Sequence, residues 1–207
     1  MATKKLAVRL VADLHAQSPR EWDNLGTMVC AHRRYNLGDS DGLDKARELI
    51  VQHFSEEWLD REGFDLTHVP DVQAALERTG KAILLPLYLY DHSGITMNTT
   101  GFHCPWDSGQ VGFIFVSKQD VRNEFGWKKL TQGRIQMIQT CLKGEVEVYD
   151  QYLTGDVWGF EVVEDGEVTD SCWGFFGSDP LTNGIFDHLA DPARALVSAE
   201  QFTRIYR

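Results

Sequence analysis

Residues 82–117 read AILLPLYLYDHSGITMNTTGFHCPWDSGQVGFIFVS and hold two apolar segments with a polar loop between them. The segments 82–90 and 111–117 both have the composition of β-strands, and 82–90 is apolar on both faces, which predicts a position in the middle of a sheet. Pro86 has no N–H to donate, so it predicts a bulge or an edge position in the first strand. The loop carries polar and reactive side chains, namely Asp91, His92, His103, Cys104, Trp106 and Asp107. Strands that end in such side chains often present a functional site, so this loop is the first candidate.

The rest of the chain predicts a mixture of strands and helices. Residues 5–13 alternate between apolar and more polar side chains, which is the pattern of a strand. Apolar residues at helical spacing predict helices at 41–54, 71–80, 119–125 and 131–153, with shorter helical pieces near the C-terminus. Asp41 and Asp71 are expected to cap the first two helices. Asp165-Gly166 between two alternating runs predicts a β-hairpin, because its tight turn needs positive φ.

The order of these elements indicates the fold class. Strands and helices follow one another without the regular βαβ alternation of a parallel sheet. We therefore expect a single α+β domain over residues 1–207, with a mixed or mostly antiparallel sheet and about four helices.

The composition excludes several classes of partner. The chain has 207 residues and a formal net charge of −11. Phosphate binding needs clustered Lys and Arg, so we expect no direct nucleic-acid partner and no anionic membrane. No window approaches the ~18 uninterrupted apolar residues of a membrane span. Residues 1–16 resemble a signal peptide, but Arg9 and Asp13 interrupt the apolar patch, so we expect a first strand and a cytoplasmic protein.

Several phrases of the sequence are distinctive when taken together. They are SPREWDNLGTMVCAHRRYNLGD (18–39), LYLYDHSGIT (87–96), CPWDSGQVGFIFVS (104–117), VYDQYLTGDVWGF (148–160) and DSCWGFFG (170–177). In this order they resemble an uncharacterised family carried by bacteriophages, prophages and plasmids. The resemblance implies a mobile-element protein in a bacterial cytoplasm, where small acidic accessory proteins often inhibit host defences. It assigns no reaction, so no catalytic residue is carried over.

Catalytic and metal-binding motifs are weak. Ser171-Cys172-Trp173 looks like the nucleophile region of papain-like proteases, but Cys172 falls on a predicted strand and only His188 follows it. The 91–107 loop holds His, Cys and Asp residues that could bind zinc, but without the ligand spacing of known zinc sites. We expect no metal and no cofactor, and we name no catalytic residue.

Two hypotheses for function remain, and each has its own residues. In the leading one, an acidic surface binds a basic host protein with Trp106 or Trp22 as an aromatic anchor, and its carboxylates are Glu56, Glu57, Asp60, Glu62 and Asp65. In the alternative, an enzyme or ligand-sequestering protein uses a pocket made of residues 32–35 and 91–107. Its candidate residues are Arg33, Arg34, Asp91, His92, His103 and Asp107. A supporting role in virion or replication assemblies is a third reading that the sequence leaves open.

Overall fold

A computed structural model describes residues 5–206. Contacts within the chain group it into two compact units. The central unit is Trp22–Glu147, and the terminal unit consists of the segments up to Glu21 and from Val148 onward. No helix among the described residues is long and apolar enough to cross a bilayer.

Helices and strands both occur throughout the described chain. The helices are α1 (Gly42–Val51), α2 (Glu56–Glu62), α3 (Val69–Thr79), α4 (Lys118–Phe125), α5 (Gln132–Thr154), α6 (Ile185–His188) and α7 (Ala193–Ser198). The strands are β1 (Leu6–Ala12), β2 (Thr27–Cys30), β3 (Ala82–Asp91), β4 (Ile95–Asn98), β5 (Ser108–Ser117), β6 (Val157–Glu164), β7 (Glu167–Phe176) and β8 (Phe202–Ile205). The α+β class is confirmed, and the four helices of eight or more residues are the four predicted from the apolar spacing.

The central unit contains an antiparallel sheet in the order β2-β5-β3-β4. Its two middle strands, β3 and β5, are the two apolar segments of the sequence, and the central position predicted for 82–90 is confirmed. Pro86 pairs with Phe113 inside this sheet, and the register shifts one residue later, between Leu87 and Tyr88. The predicted bulge is therefore present, and the alternative of an edge strand is wrong.

The helices α1, α2 and α3 share a buried apolar cluster with this sheet. Phe113 and Phe115 alternate along β5 and contribute its aromatic side chains. The helices contribute the buried residues Ala46, Ile50, Leu59, Val69, Val72, Ala75 and Leu76. Burial of this apolar area fixes the acidic helix α2 to the sheet through its one buried residue, Leu59.

β2 is tightly enclosed on both sides. A Cβ atom on Gly112 would lie 1.8 Å from the carbonyl oxygen of Val29 and 3.0 Å from Cys30 Cα, so β5 approaches it as only glycine allows. On the other side, the Asp39 N–H donates to Met28 O at 3.0 Å, and Asp39 Oδ2 accepts from the Met28 N–H at 2.9 Å. The edge of β2 is thereby satisfied within the chain.

The terminal unit contains a second sheet, in the order β7-β6-β1-β8. β1 pairs with β8 in parallel, and the other pairs are antiparallel. The hairpin between β6 and β7 is confirmed, with Asp165 at φ 51° and Gly166 at φ 97°. Its apolar cluster joins β1 and β6 to the short helices, for example through Phe160 and Ile185.

The two capping predictions have different outcomes. Asp41 is the N-cap residue of α1, as predicted, but its side chain makes no cap hydrogen bond and its carboxylate pairs with Lys45 at 3.0 Å. The Asp71 prediction is wrong, because α3 begins earlier than predicted, at Val69 with His68 as its N-cap, and Asp71 therefore lies in the first turn of the helix. Asp71 Oδ2 lies 3.3 Å from His68 Nδ1, and a carboxylate in that turn still interacts favourably with the helix dipole.

Candidate functional site

The 91–107 segment leaves the sheet at the end of β3 and returns at the start of β5. Its base is closed by the Asp91 N–H, which donates to Asp107 O at 2.8 Å. Its last turn is held by the Ser108 hydroxyl, which donates to Cys104 O at 2.5 Å. Hydrogen bonds therefore hold the backbone in place at both ends of the loop.

Residues 32–35 lie against the end of β3. The Arg34 guanidinium pairs with the Asp91 carboxylate through Nη2 and Oδ2. The Tyr35 hydroxyl donates to the other oxygen, Asp91 Oδ1, at 3.2 Å, and the His32 ring stacks on the Tyr35 ring at 5.0 Å. Both carboxylate oxygens of Asp91 therefore have a partner within the chain, and the charge of Arg34 is already paired with Asp91.

Asp107 is the second carboxylate of this network. His92 Nδ1 lies 3.4 Å from Asp107 Oδ2, and the Cys104 thiol donates to the same oxygen at 3.6 Å. Both contacts are made to the same oxygen atom, Asp107 Oδ2. Among residues 5–206, no group of three His, Cys, Asp or Glu side chains is placed to hold a metal ion.

The structure brings most of the predicted ligand-binding residues together. The four that form one connected network are Arg34, Asp91, His92 and Asp107. Arg33 and His103 are exposed, and within the described chain their side chains make no hydrogen bond or ion pair. The network therefore covers part of the predicted set and leaves these two residues outside it.

Trp106 lies in the last turn of the same loop, directly before Asp107. Its side chain is 91% exposed, more than any other large apolar side chain among residues 5–206. Trp22, the other predicted anchor, is 49% exposed. A solvent-exposed tryptophan on an ordered turn contributes nothing to the core, and exposed tryptophans are frequent anchors of protein interfaces.

The predicted acidic run forms α2 and the loop after it. All five carboxylates, Glu56, Glu57, Asp60, Glu62 and Asp65, are exposed. Sequence patterns did not predict α2. Its N-cap is Ser55, whose hydroxyl oxygen accepts from the Trp58 N–H at 3.3 Å. The Trp58 ring stacks on Phe54 at 3.9 Å and anchors the other side of the helix.

Local contacts involve three of these five carboxylates. Glu62 pairs with Arg78 at 2.9 Å. Thr67 donates to Asp65 from its hydroxyl at 2.6 Å and from its N–H at 2.7 Å, and these bonds hold the pKa of Asp65 below its ordinary value. Hydrogen bonds from its own backbone N–H and from Ser55 likewise lower the pKa of Glu57. Both groups stay ionised to lower pH than a free carboxylate.

A groove that the sequence did not predict lies between α3 and the first half of β5. Its volume is about 520 Å³. It is lined by Ala31, Thr67, His68, Val69, Pro70, Gln73, Ala74, Glu77, Gln110, Val111 and Gly112. The spacing of Pro70, Gln73 and Glu77 places them on one helix face. The bulge in β5 lies opposite these residues, and the only sequence feature that predicted a bulge there was Pro86 on the neighbouring strand β3.

Cys172 and His188 are both used structurally. Cys172 lies on β7, where it is partly buried against the apolar cluster of the terminal unit. His188 Nδ1 is hydrogen-bonded to Gly184 O at 2.9 Å, and its ring packs edge-on against Phe175 at 5.0 Å. Neither residue is arranged as a nucleophile with its base.

Comparisons with known proteins add no relative to this description. No model of a protein family, no curated protein and no solved structure matches the chain.

Proposed function

We propose that this protein is a mobile-element accessory protein that acts in the bacterial cytoplasm by binding. In this proposal it inhibits a host defence system by covering a basic surface of one of its proteins. The observation that carries the proposal is the state of Glu56, Glu57 and Asp60 on α2. All three are exposed, and no Lys, Arg or His side chain among residues 5–206 pairs with them. Unpaired carboxylates on one short helix are available to a cationic partner.

The net negative charge of the whole chain also favours a basic partner. The central unit holds 13 Lys and Arg against 18 Asp and Glu, and the terminal unit holds 7 against 13. Both units are therefore acidic. A long-range negative potential steers a basic protein towards the surface and raises its association rate, while close contacts determine where it docks.

Trp106 supplies the apolar part of such an interface. Charged pairs at the rim of an interface contribute little affinity, and most of the binding free energy comes from a few buried aromatic or Arg anchors. Trp106 belongs to the same unit as α2 and is free of core contacts that its burial by a partner would disrupt. In this proposal Trp106 provides most of the binding free energy, and the carboxylates of α2 orient the partner.

Two variants that remove the same charge from different places test the proposal. The test variant carries Glu56→Gln, Glu57→Gln and Asp60→Asn, and the control carries Glu167→Gln, Asp170→Asn and Glu200→Gln on exposed positions of the terminal unit. Each is expressed in bacteria that carry one defence system of a panel, and the plating efficiency of a sensitive phage is measured. We expect wild type and control to raise plating against at least one system, and the test variant to lose at least about tenfold of that effect.

The control separates a docking surface from overall charge. An equal loss in both variants would show that only net charge matters. Full activity of the α2 variant, or no effect of wild type on any system, would contradict the proposal.

One observation favours the alternative of a small-molecule site, namely the single network that joins Arg34, Asp91, His92 and Asp107. If it binds a ligand, His92→Ala should abolish the ligand-induced rise in melting temperature, because it removes the imidazole beside Asp107. Without ligand it should change the melting temperature by only about 2 °C, since His92 is exposed. A thermal-shift screen of small anions and cations measures both values. A variant that unfolds, or a library without any ligand, would assign these residues to loop architecture.

A further inference from the structure

We propose that the groove between α3 and β5 receives an arginine side chain of the basic partner. The inference rests on the proposed function, because it names a contact that the partner makes beside the acidic helix. Thr67 joins the two regions, since it lines the groove and also holds the Asp65 carboxylate. The groove and the acidic segment are therefore continuous along the chain.

The free hydrogen-bonding groups of the groove are mainly acceptors. Gln110 Nε2 donates to Gln73 Oε1 at 2.7 Å and to Gly112 O at 3.1 Å, which uses both of its hydrogens. Gln73 Nε2 donates to Glu77 Oε1 at 3.1 Å. Among the described residues, Glu77 Oε2 and Gln110 Oε1 have no donor. A ligand that supplies several donors satisfies them.

The charge of the lining favours a cation. Glu77 is its only carboxylate, it contains no Lys or Arg, and no basic side chain within residues 5–206 pairs with Glu77. His68 is directed to Asp71, which adds a second carboxylate next to the lining. A cationic head group would thus be attracted by Glu77 and by the neighbouring acidic segment.

The apolar part of the lining favours a long aliphatic stem. The walls include Ala31, Val69, Pro70, Ala74 and Val111. Arginine buries its methylene groups against such walls while its planar guanidinium offers five N–H donors at the end. The volume of about 520 Å³ exceeds one side chain, so the adjoining backbone of the partner also has room.

A pair of peptides tests the inference directly. Acetyl-Gly-Gly-Arg-Gly-Gly-amide is titrated into the full chain by NMR, and the same peptide with citrulline serves as a neutral isostere. We expect the arginine peptide to shift groove resonances and the citrulline peptide to leave them unchanged. Glu77→Gln should weaken the binding of the arginine peptide at least about tenfold, because it removes the negative charge that accepts from the guanidinium.

Three further variants make the result specific to the groove. Glu124→Gln removes an exposed carboxylate of α4 and should bind as wild type does. Ala74→Phe should block binding by filling the groove without a change of charge. Arg33→Gln removes an exposed cation two residues after Ala31 and should strengthen binding. Equal binding of both peptides, or wild-type binding by Glu77→Gln and Ala74→Phe, would overturn the inference.

The outcomes also separate this inference from the proposed function. If a basic partner loses affinity with the α2 variant but not with Glu77→Gln, the groove inference fails and the proposed function stands. If the arginine peptide binds as expected and no defence system is affected, the proposed function fails instead. A concentration-dependent dimer that Glu77→Gln dissociates would assign the groove to a second copy of the chain and overturn the inference.

Discussion

Gly112→Ala should destabilise the central unit by about 3 kcal/mol, at the upper end of the usual cost of overpacking. The added methyl group would meet the carbonyl oxygen of Val29 at 1.8 Å and the carbonyl carbon at 2.9 Å. These are backbone atoms, so no side-chain rotation relieves the contact and β2 must move away from β5. That movement exposes Val29 and breaks the pairing of Cys30 with Gly112. In a protein of this size, we expect the melting temperature to fall by about 10 °C.

Gly109→Ala is the matched control, because it adds the same methyl group to the same strand. A Cβ atom at Gly109 meets no other atom within 4 Å. Its replacement should leave stability unchanged or raise it by about 0.5 kcal/mol, through the lower entropy of the unfolded chain. Calorimetry of both variants measures the difference. Equal melting temperatures for Gly112→Ala and wild type would show that β2 and β5 do not approach as described.

Trp106→Ala should have the opposite pattern, with a large loss of binding and no loss of stability. The side chain is 91% exposed, so its removal leaves the folded state with the same packing, and we expect a stability change below about 0.5 kcal/mol. An aromatic anchor that becomes buried in an interface contributes at least about 2 kcal/mol, which corresponds to about a thirtyfold weaker dissociation constant. Titration calorimetry with the purified partner measures this constant.

Two other substitutions define what a result at Trp106 means. Trp106→Phe keeps an aromatic ring and should recover part of the affinity. Leu181→Ala removes an apolar side chain that is 51% exposed on the terminal unit and should bind as wild type does. Unchanged affinity of Trp106→Ala would remove Trp106 from the interface, and a lower melting temperature would show that it supports the loop.

The sequence predicted the strongly patterned elements and missed those that depend on tertiary contacts. β3 and β5 are apolar on both faces, and Asp165-Gly166 specifies its turn, so local chemistry was sufficient for them. The helix α2 was missed because only Leu59 of its seven residues is buried, which leaves no apolar stripe to recognise. The single domain over residues 1–207 stays a prediction, and the contacts of the described chain group into two compact units.

The candidate site was predictable as a region but not as a geometry. Loop composition pointed to Asp91, His92 and Asp107. The structure joins Asp91 to Asp107 by a backbone hydrogen bond and places His92 Nδ1 3.4 Å from Asp107 Oδ2. That Arg34 is neutralised by Asp91 depends on a pairing between distant segments, which no single-sequence pattern contains. The groove forms where α3 packs over the bulge in β5, so the sequence of α3 or of β5 alone does not predict which residues line it.

The central claim is that unpaired negative charge on α2 directs the binding of a basic protein. The most direct measurement is the dissociation constant of that partner, once purified, at low and at high salt for wild type and for the α2 variant. We expect wild type to lose at least about tenfold in affinity between about 50 and about 300 mM salt, because ions screen exposed charges, and the variant to lose clearly less. A dissociation constant that is independent of salt, or an equal salt dependence in both proteins, would contradict the account.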